Sequence, residues 1–287
     1  MLRPIVDRMP RVASLYRTIR DEKETSKPPV MTSLGFRMSG NDGMASGAFE
    51  PDETALIQFV LGRAETFVNI GANIGYYCLL ARKLQKHVIA FEPFPSNVKM
   101  LLKNLDLNGY CEGTEVYPVA LSNHPNVLKI YGGGTGASLV EGWAGAAASF
   151  CTLVPVSTLD LILSDRMSRK RCLIVLDVEG AERFVLQGAN SLLTGAIKPV
   201  WIVEISSTEH QPKGIEINPH FLSTFKVFWD AGYMCFTANR DLRKVEFLEI
   251  EKIQSTGSDT LGTHNFVFLH PSESYISIDE IRSCYAS

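Results

Sequence analysis

From residue 66 onward the chain repeats one unit: a short apolar run, a turn, and a stretch whose apolar residues return at helical spacing. TFVNIG (66–71) leads into IGYYCLLARKLQ, where Tyr77, Leu80, Ala81 and Leu84 share one helical face. HVIAFEP (87–93) precedes SNVKMLLKNLDLNG, with Ser96 as candidate N-cap and Gly109 as its close. EVYPVAL (115–121) is the third strand. CLIVLDV (172–178) is the fourth, followed by the helix AERFVLQGANSLL, and PVWIVEIS (199–206) is the fifth. Strands alternating with helices specify an α/β fold, a parallel sheet sandwiched between two helical layers. After a helix near HFLSTFKVFWDAG come two more strands, YMCFTA and NFVFLHP (265–271), joined by a long connection. The expectation is a three-layer, Rossmann-like sandwich with a seven-stranded, mostly parallel sheet and an antiparallel edge.

Between the third and fourth strands lies a region of different character, residues 122–150, containing YGGGTGASLVEGWAGAAASF. Its glycines and alanines restrain the backbone poorly. It reads either as a lid or substrate loop or as a glycine-rich hairpin insertion. At the other end, MLRPIVDRMPRVASLYRTIRDEKETSKPP reads as an amphipathic helix and linker. Such a helix can lie on a membrane surface, or pack on its own domain or a second subunit. The expected organisation is a helical extension over 1–46 and one domain over 47–287.

A formal net charge of -3 over 287 residues gives no electrostatic reason to expect a nucleic-acid partner. Small molecules or neutral glycans fit better. The six cysteines show no close pair and no metal-type spacing, and no run approaches the ~18 apolar residues of a membrane span. A cytoplasmic protein with free thiols and no integral membrane segment is expected; a homo-oligomer is possible.

In an open α/β sheet the ligand sits outside the carboxyl ends of the strands, beside the first. Gly71 and Gly75 mark that crevice, and the helix starting near Ile74 turns its free amides into it. Gly71-Ala72-Asn73-Ile74-Gly75 does not fit the dinucleotide pattern G-x-G-x-x-G. Asn73 stands where the second glycine would admit a pyrophosphate, and Tyr76 where the third would allow close packing. Glu92, at the end of the second strand, is placed to accept both hydroxyls of an adenosine ribose.

FEPDETALIQFV, FVNIGANIGYYCLLA, VIAFEPFPSNVKMLLKNLDLN, VALS, VSTLDLIL, LIVLDVEGAERFVLQGA and KPVWIVEIS, in that order, resemble the FkbM family of S-adenosylmethionine-dependent methyltransferases. The resemblance implies a class I methyltransferase fold and methyl transfer to a hydroxyl of a sugar, polyketide or other secondary metabolite. Carried over by position, it implies that Asn69, Gly71, Ala72, Asn73 and Gly75 line the methionine part of the cofactor. Glu92 and Pro93 would lie at the ribose, Ala120 and Leu121 would border the adenine, and Glu50 would close over the methionine end. Asp177 and Glu179 match the acidic pair of the family's DVEG stretch, where methyl and acceptor should meet.

Two positions depart from the family, which usually carries aspartate at 69 and lysine at 175. Asn69 can still accept from an ammonium through its amide oxygen, but the charge-assisted part, about 1 kcal/mol, is lost. Positions 175 and 177 share a strand face, so Val175 leaves Asp177 without a cationic neighbour.

Displacement at a sulfonium requires alignment of acceptor oxygen, methyl carbon and sulfur, and a base near the acceptor. Asp177 or Glu179 is expected to orient or deprotonate that hydroxyl; alternatively Asp177 shapes the turn and Glu179 caps the next helix. Asp177, Glu179, Glu182 and Glu204 lack a metal-ligand spacing, Glu182 is expected to face away, and no metal is expected. His210 and His264 lie in loops that could reach the site. Trp143 could stack on a sugar or serve packing of the insertion. A catalytically lapsed adenosine-ligand-binding or interaction protein of the same fold remains open. A dinucleotide-binding oxidoreductase is disfavoured by Asn73 and Tyr76.

Overall fold

The computed structural model describes residues 28–46, 49–167 and 169–285. The expected N-terminal amphipathic helix lies outside the described residues. Strands β1 (Val30–Met31) and β2 (Arg37–Met38) pair antiparallel, and a one-turn helix α1 (Asp42–Ala45) follows. Phe36, Met38 and Met44 are buried in the same core as the sheet, and Asn104 bonds the amide of Ser39. The packed body thus reaches N-terminal of the boundary expected at 47.

Next in the chain come α2 (Pro51–Leu61), β3 (Thr66–Ile70), α3 (Tyr76–Lys83), β4 (His87–Phe91), α4 (Pro95–Leu107) and β5 (Thr114–Tyr117). Three strands stand apart: β6 (Ala120–Leu121), β7 (Asn126–Tyr131) and β8 (Cys151–Ser157). Helix α5 (Leu159–Met167), β9 (Cys172–Leu176), α6 (Glu182–Gln187), α7 (Asn190–Thr194) and β10 (Val200–Glu204) resume the alternation. The chain ends with α8 (Phe221–Asp230), β11 (Met234–Thr237), β12 (Lys244–Val245), α9 (Phe247–Thr256), β13 (Asn265–Leu269) and α10 (Ile278–Arg282).

The main sheet has eight strands rather than seven, in the order β12-β11-β13-β10-β9-β3-β4-β5. All seven expected strands are in it; the eighth, β12, has two residues and too little apolar periodicity to be read in advance. The run from β10 to β5 is parallel. The expected antiparallel edge is present, since β12 pairs antiparallel with β11 there, and a second reversed strand, β13, inserts between β10 and β11, antiparallel to both.

Alternate residues of the central strands feed two cores, one on each face. Phe67, Val88, Ala90, Leu173 and Val175 meet apolar residues of α2, α3 and α4, whereas Val68, Ile89, Ile174 and Trp201 meet those of α5 to α9. This period of two explains the near-continuous apolar strands and gives the three layers.

Three local readings change. EVYPVAL is divided at Pro118, which has no amide hydrogen for a ladder, and its end crosses into a second sheet as β6, beside β8 and β7. Ser96 is not the N-cap of α4; Phe94 holds that place and Pro95 opens the helix. AERFVLQGANSLL forms two short helices, broken where Gly188 packs so closely on the carbonyl of Ser122 that a Cβ would lie 2.3 Å from it.

Candidate active site

Strand β3 has β4 on one side and β9 on the other, so crossovers leave it in opposite directions and open a crevice at its carboxyl end. Gly71 follows β3 and Asp177 follows β9. The amide of Asp177 donates to the carbonyl of Ile70 (3.0 Å), drawing the two chains together. Gly71 has φ 84°, and a Cβ there would lie 1.7 Å from the Asp177 carbonyl oxygen. Only glycine fits. Gly75, at φ 96°, is required by packing: its Cβ would meet Leu101 Cδ1 at 2.4 Å. Asn73 adopts φ 51°, a left-handed conformation that asparagine tolerates.

Two cavities meet at Gly71 and Asp177. The larger, about 560 Å³, is lined by Phe91, Glu92, Pro93, Asn97, Ala120, Leu121, Asn73 and Glu179, and by Ile130, Gly134, Thr135, Ala137 and Leu139 of the insertion. Residues 122–150 therefore supply β7 and the long connection of a hairpin completed by β8, as the second expectation had it, and that connection walls the cavity. Glu92, just past the end of β4, is 4% exposed. Its carboxylate accepts from the amides of Asn73 (2.8 Å) and Phe94 (2.8 Å) and from Asn97 Nδ2 (3.3 Å). Burial pushes it up to about 7 against the pull of those donors.

The smaller cavity, about 310 Å³, is lined by Glu50, Glu53, Asn69, Tyr77, Val175, Glu204 and Asn265 together with Gly71 and Asp177. Tyr77 donates its hydroxyl to Glu50 (2.8 Å). Glu53 Oε2 and Asp177 Oδ1 are buried without a hydrogen-bond partner. Burial raises both carboxyls well above their usual range, and neighbouring carboxylates add to it: Glu50 and Asp177 around Glu53, Glu204 and Glu179 around Asp177. Glu204 is raised in the same way, by burial and then by Glu179 and Glu182.

Asn69 and Val175, read from the sequence as separate departures, are register partners on adjacent parallel strands and line the same cavity. An aspartate and a lysine at these positions would face each other. Asn69 and Val175 themselves bring no charge to this part of the wall. Asn69 is 3% exposed and its Nδ2 lies 3.5 Å from Cys78 Sγ.

Glu179, at φ 57°, carries the insertion. Its carboxylate accepts from Trp143 Nε1 (2.7 Å) and its carbonyl from Ser138 Oγ (2.6 Å). Trp143 is 2% exposed, pressed against Gly180, and its ring lies 6.1 Å from that of His210. Packing is its use. Burial raises Glu179, while Trp143, His210 and His264 oppose it; neither histidine is among the residues that line the two cavities. Glu179 does not cap α6; Ala181 is the N-cap. Nor does Glu182 face away: it is 3% exposed, accepts from the amide of Gly180 (2.9 Å), and burial pushes it up to about 7.

Of the residues singled out from the sequence, Glu50, Asn69, Gly71, Asn73, Glu92, Pro93, Ala120, Leu121, Asp177 and Glu179 line one or both cavities. Ala72 and Gly75 line neither and shape the turn behind them. Sequence reasoning missed Glu53, Tyr77 and Asn265, and weighed Glu204 only as a metal ligand. The signal for Glu53 was its place three residues after Glu50, in the first turn of the helix that Glu50 precedes. No group of three metal-type side chains close enough to hold an ion occurs among the described residues.

Residues 69–235 match the methyltransferase FkbM domain. Among curated proteins none matches the sequence. Among solved structures, the chain is similar to a methyltransferase FkbM from Methylobacillus flagellatus KT, with 16% identity and a TM-score of 0.40, over 72% of this chain and 44% of that one. A SAM-dependent methyltransferase from Agrobacterium tumefaciens aligns with 11% identity and a TM-score of 0.44, over 85% of this chain and 70% of that one.

Proposed function

The chain belongs to the methyltransferase FkbM family, and we propose that it transfers a methyl group from S-adenosylmethionine to a hydroxyl of a sugar, glycan or secondary metabolite. The observation that carries this reading is Asp177, which follows a buried central strand, lines both cavities where they meet, and keeps a buried, unpartnered oxygen there. A donor with adenosine at one end and an amino acid at the other matches two cavities joined at Gly71, and a positively charged donor suits their carboxylates.

S-adenosylmethionine supplies an electrophilic methyl group when bound. Glu92, Pro93, Ala120 and Leu121 would hold its adenosine, Gly71 and Asn73 its middle, and Glu50 and Asn69 its amino-acid end. The protein's further tasks are alignment and exclusion of water. The insertion does the second: Trp143 and Ser138 fasten it to Glu179 over the crevice. Asp177 orients the acceptor hydroxyl and takes its proton; Glu179 is the second candidate. Burial among carboxylates raises Asp177 well above its usual range, and a cation beside it favours the ionised form a base needs.

The test is methyl transfer and donor affinity measured on the same variants, with hydroxyl-bearing sugars and metabolites as acceptors. Asp177→Asn should lower kcat about 10²- to 10⁴-fold with donor affinity kept, and Glu179→Gln should lower it less. Full-rate transfer by both variants would sink the base assignment. Donor binding by the unchanged chain with no turnover on any acceptor would favour the lapsed binding protein.

A further inference from the structure

The smaller cavity gathers more carboxyl groups than a neutral acceptor or a single polar contact requires. Glu50, Glu53, Asp177 and Glu204 line it, and no lysine, arginine or histidine is among its lining residues. Glu50 has a donor in Tyr77, but Glu53, 8% exposed, has an orphaned Oε2, and Asp177 an orphaned Oδ1. A buried carboxylate oxygen with no donor is costly, and a fold retains one where something else supplies the donor. Glu53 comes from the first turn of α2 and Glu204 from the carboxyl end of β10, so two unconnected elements bring their carboxylates to one space.

We propose that Glu53 and Glu204 hold the methionine ammonium of S-adenosylmethionine, as the charged partners that Asn69 no longer provides. This rests on the donor assignment above and adds two residues that it does not use. The occupant is an organic ammonium rather than a divalent ion, because no three of these groups come close enough to share a metal among the described residues. It is the donor's ammonium rather than an acceptor's amine because the cavity continues, across Gly71 and Asp177, from the one that holds Glu92. Asn69 and Asn265 offer amide groups on the same lining to the ammonium's own carboxylate.

Titration calorimetry on the full chain distinguishes the two ends of the ligand. S-adenosylhomocysteine keeps the ammonium, and 5′-methylthioadenosine lacks the amino-acid end altogether. Glu53→Gln and Glu204→Gln should each weaken S-adenosylhomocysteine by about tenfold or more while leaving 5′-methylthioadenosine within about twofold. Unchanged affinity for S-adenosylhomocysteine would overturn the proposal. So would equal loss of both compounds, which would mark a structural role. In the unchanged chain, equal affinity for the two compounds would overturn this inference alone, whereas binding of neither would overturn the donor assignment with it.

Discussion

Glu92 and Glu53 are both buried glutamates at the carboxyl edge of one sheet, and they have been treated differently by the fold. Glu92 is surrounded by donors: two backbone amides and the amide of Asn97. Glu53 meets other carboxylates, is opposed among the described residues by Tyr77 alone, and leaves Oε2 unpaired. A satisfied carboxylate is part of the scaffold and can accept further bonds from a ligand. An unsatisfied one makes the ligand-free state less favourable, so a cation regains that free energy on binding. The larger cavity is built for shape and the smaller for charge.

The harshest way to break this contrast is to close the junction. Gly71→Ala places a methyl group against the Asp177 carbonyl at a positive φ, and should cost about 3 kcal/mol or more by thermal or denaturant unfolding, with binding of both ligand halves lost together. A variant that melted normally and still bound S-adenosylhomocysteine would show that β3 and β9 are not as close as described.

Glu92→Gln sharpens it from the other side. One acceptor becomes a donor facing amide hydrogens, so 5′-methylthioadenosine affinity should fall roughly tenfold, the reverse of the pattern expected for Glu53→Gln. Calorimetry giving the same ligand preference for both variants would erase the distinction between the cavities.

The smallest effect is in pH. Glu92 and Glu182 are raised in the folded state to about 7 from an ordinary 4.5. Groups raised on folding contribute stability that is present in full below their unfolded value and lost as pH rises through the folded one. The ligand-free Tm should therefore fall between pH 5 and 8, and saturating S-adenosylmethionine should flatten that slope by favouring the ionised carboxylates. A Tm that rose across this window would contradict the burial of both groups.

Much of the crevice was legible in the sequence. The glycine turn, Glu92 and Asp177 each end an apolar strand, and strand ends in this class of sheet are where ligands bind. Trp143, Glu182 and Glu53 were not. Tryptophan in a glycine-rich stretch looks exposed until Glu179 and Gly180 are folded beneath it. Glu182 follows a turn whose positive φ angles at Glu179 and Gly180 redirect it inward.

The order and spacing of apolar residues, by themselves, determined the layered α/β fold and the positions of seven strands, because periodicity of two or 3.6 is a local property of the chain. Strand order and register are not local. Only the tertiary structure set Asn69 beside Val175, inserted β13 between β10 and β11, and brought Glu53 and Glu204 to one cavity, since those neighbours are fixed by hydrogen bonds and packing between segments far apart in sequence.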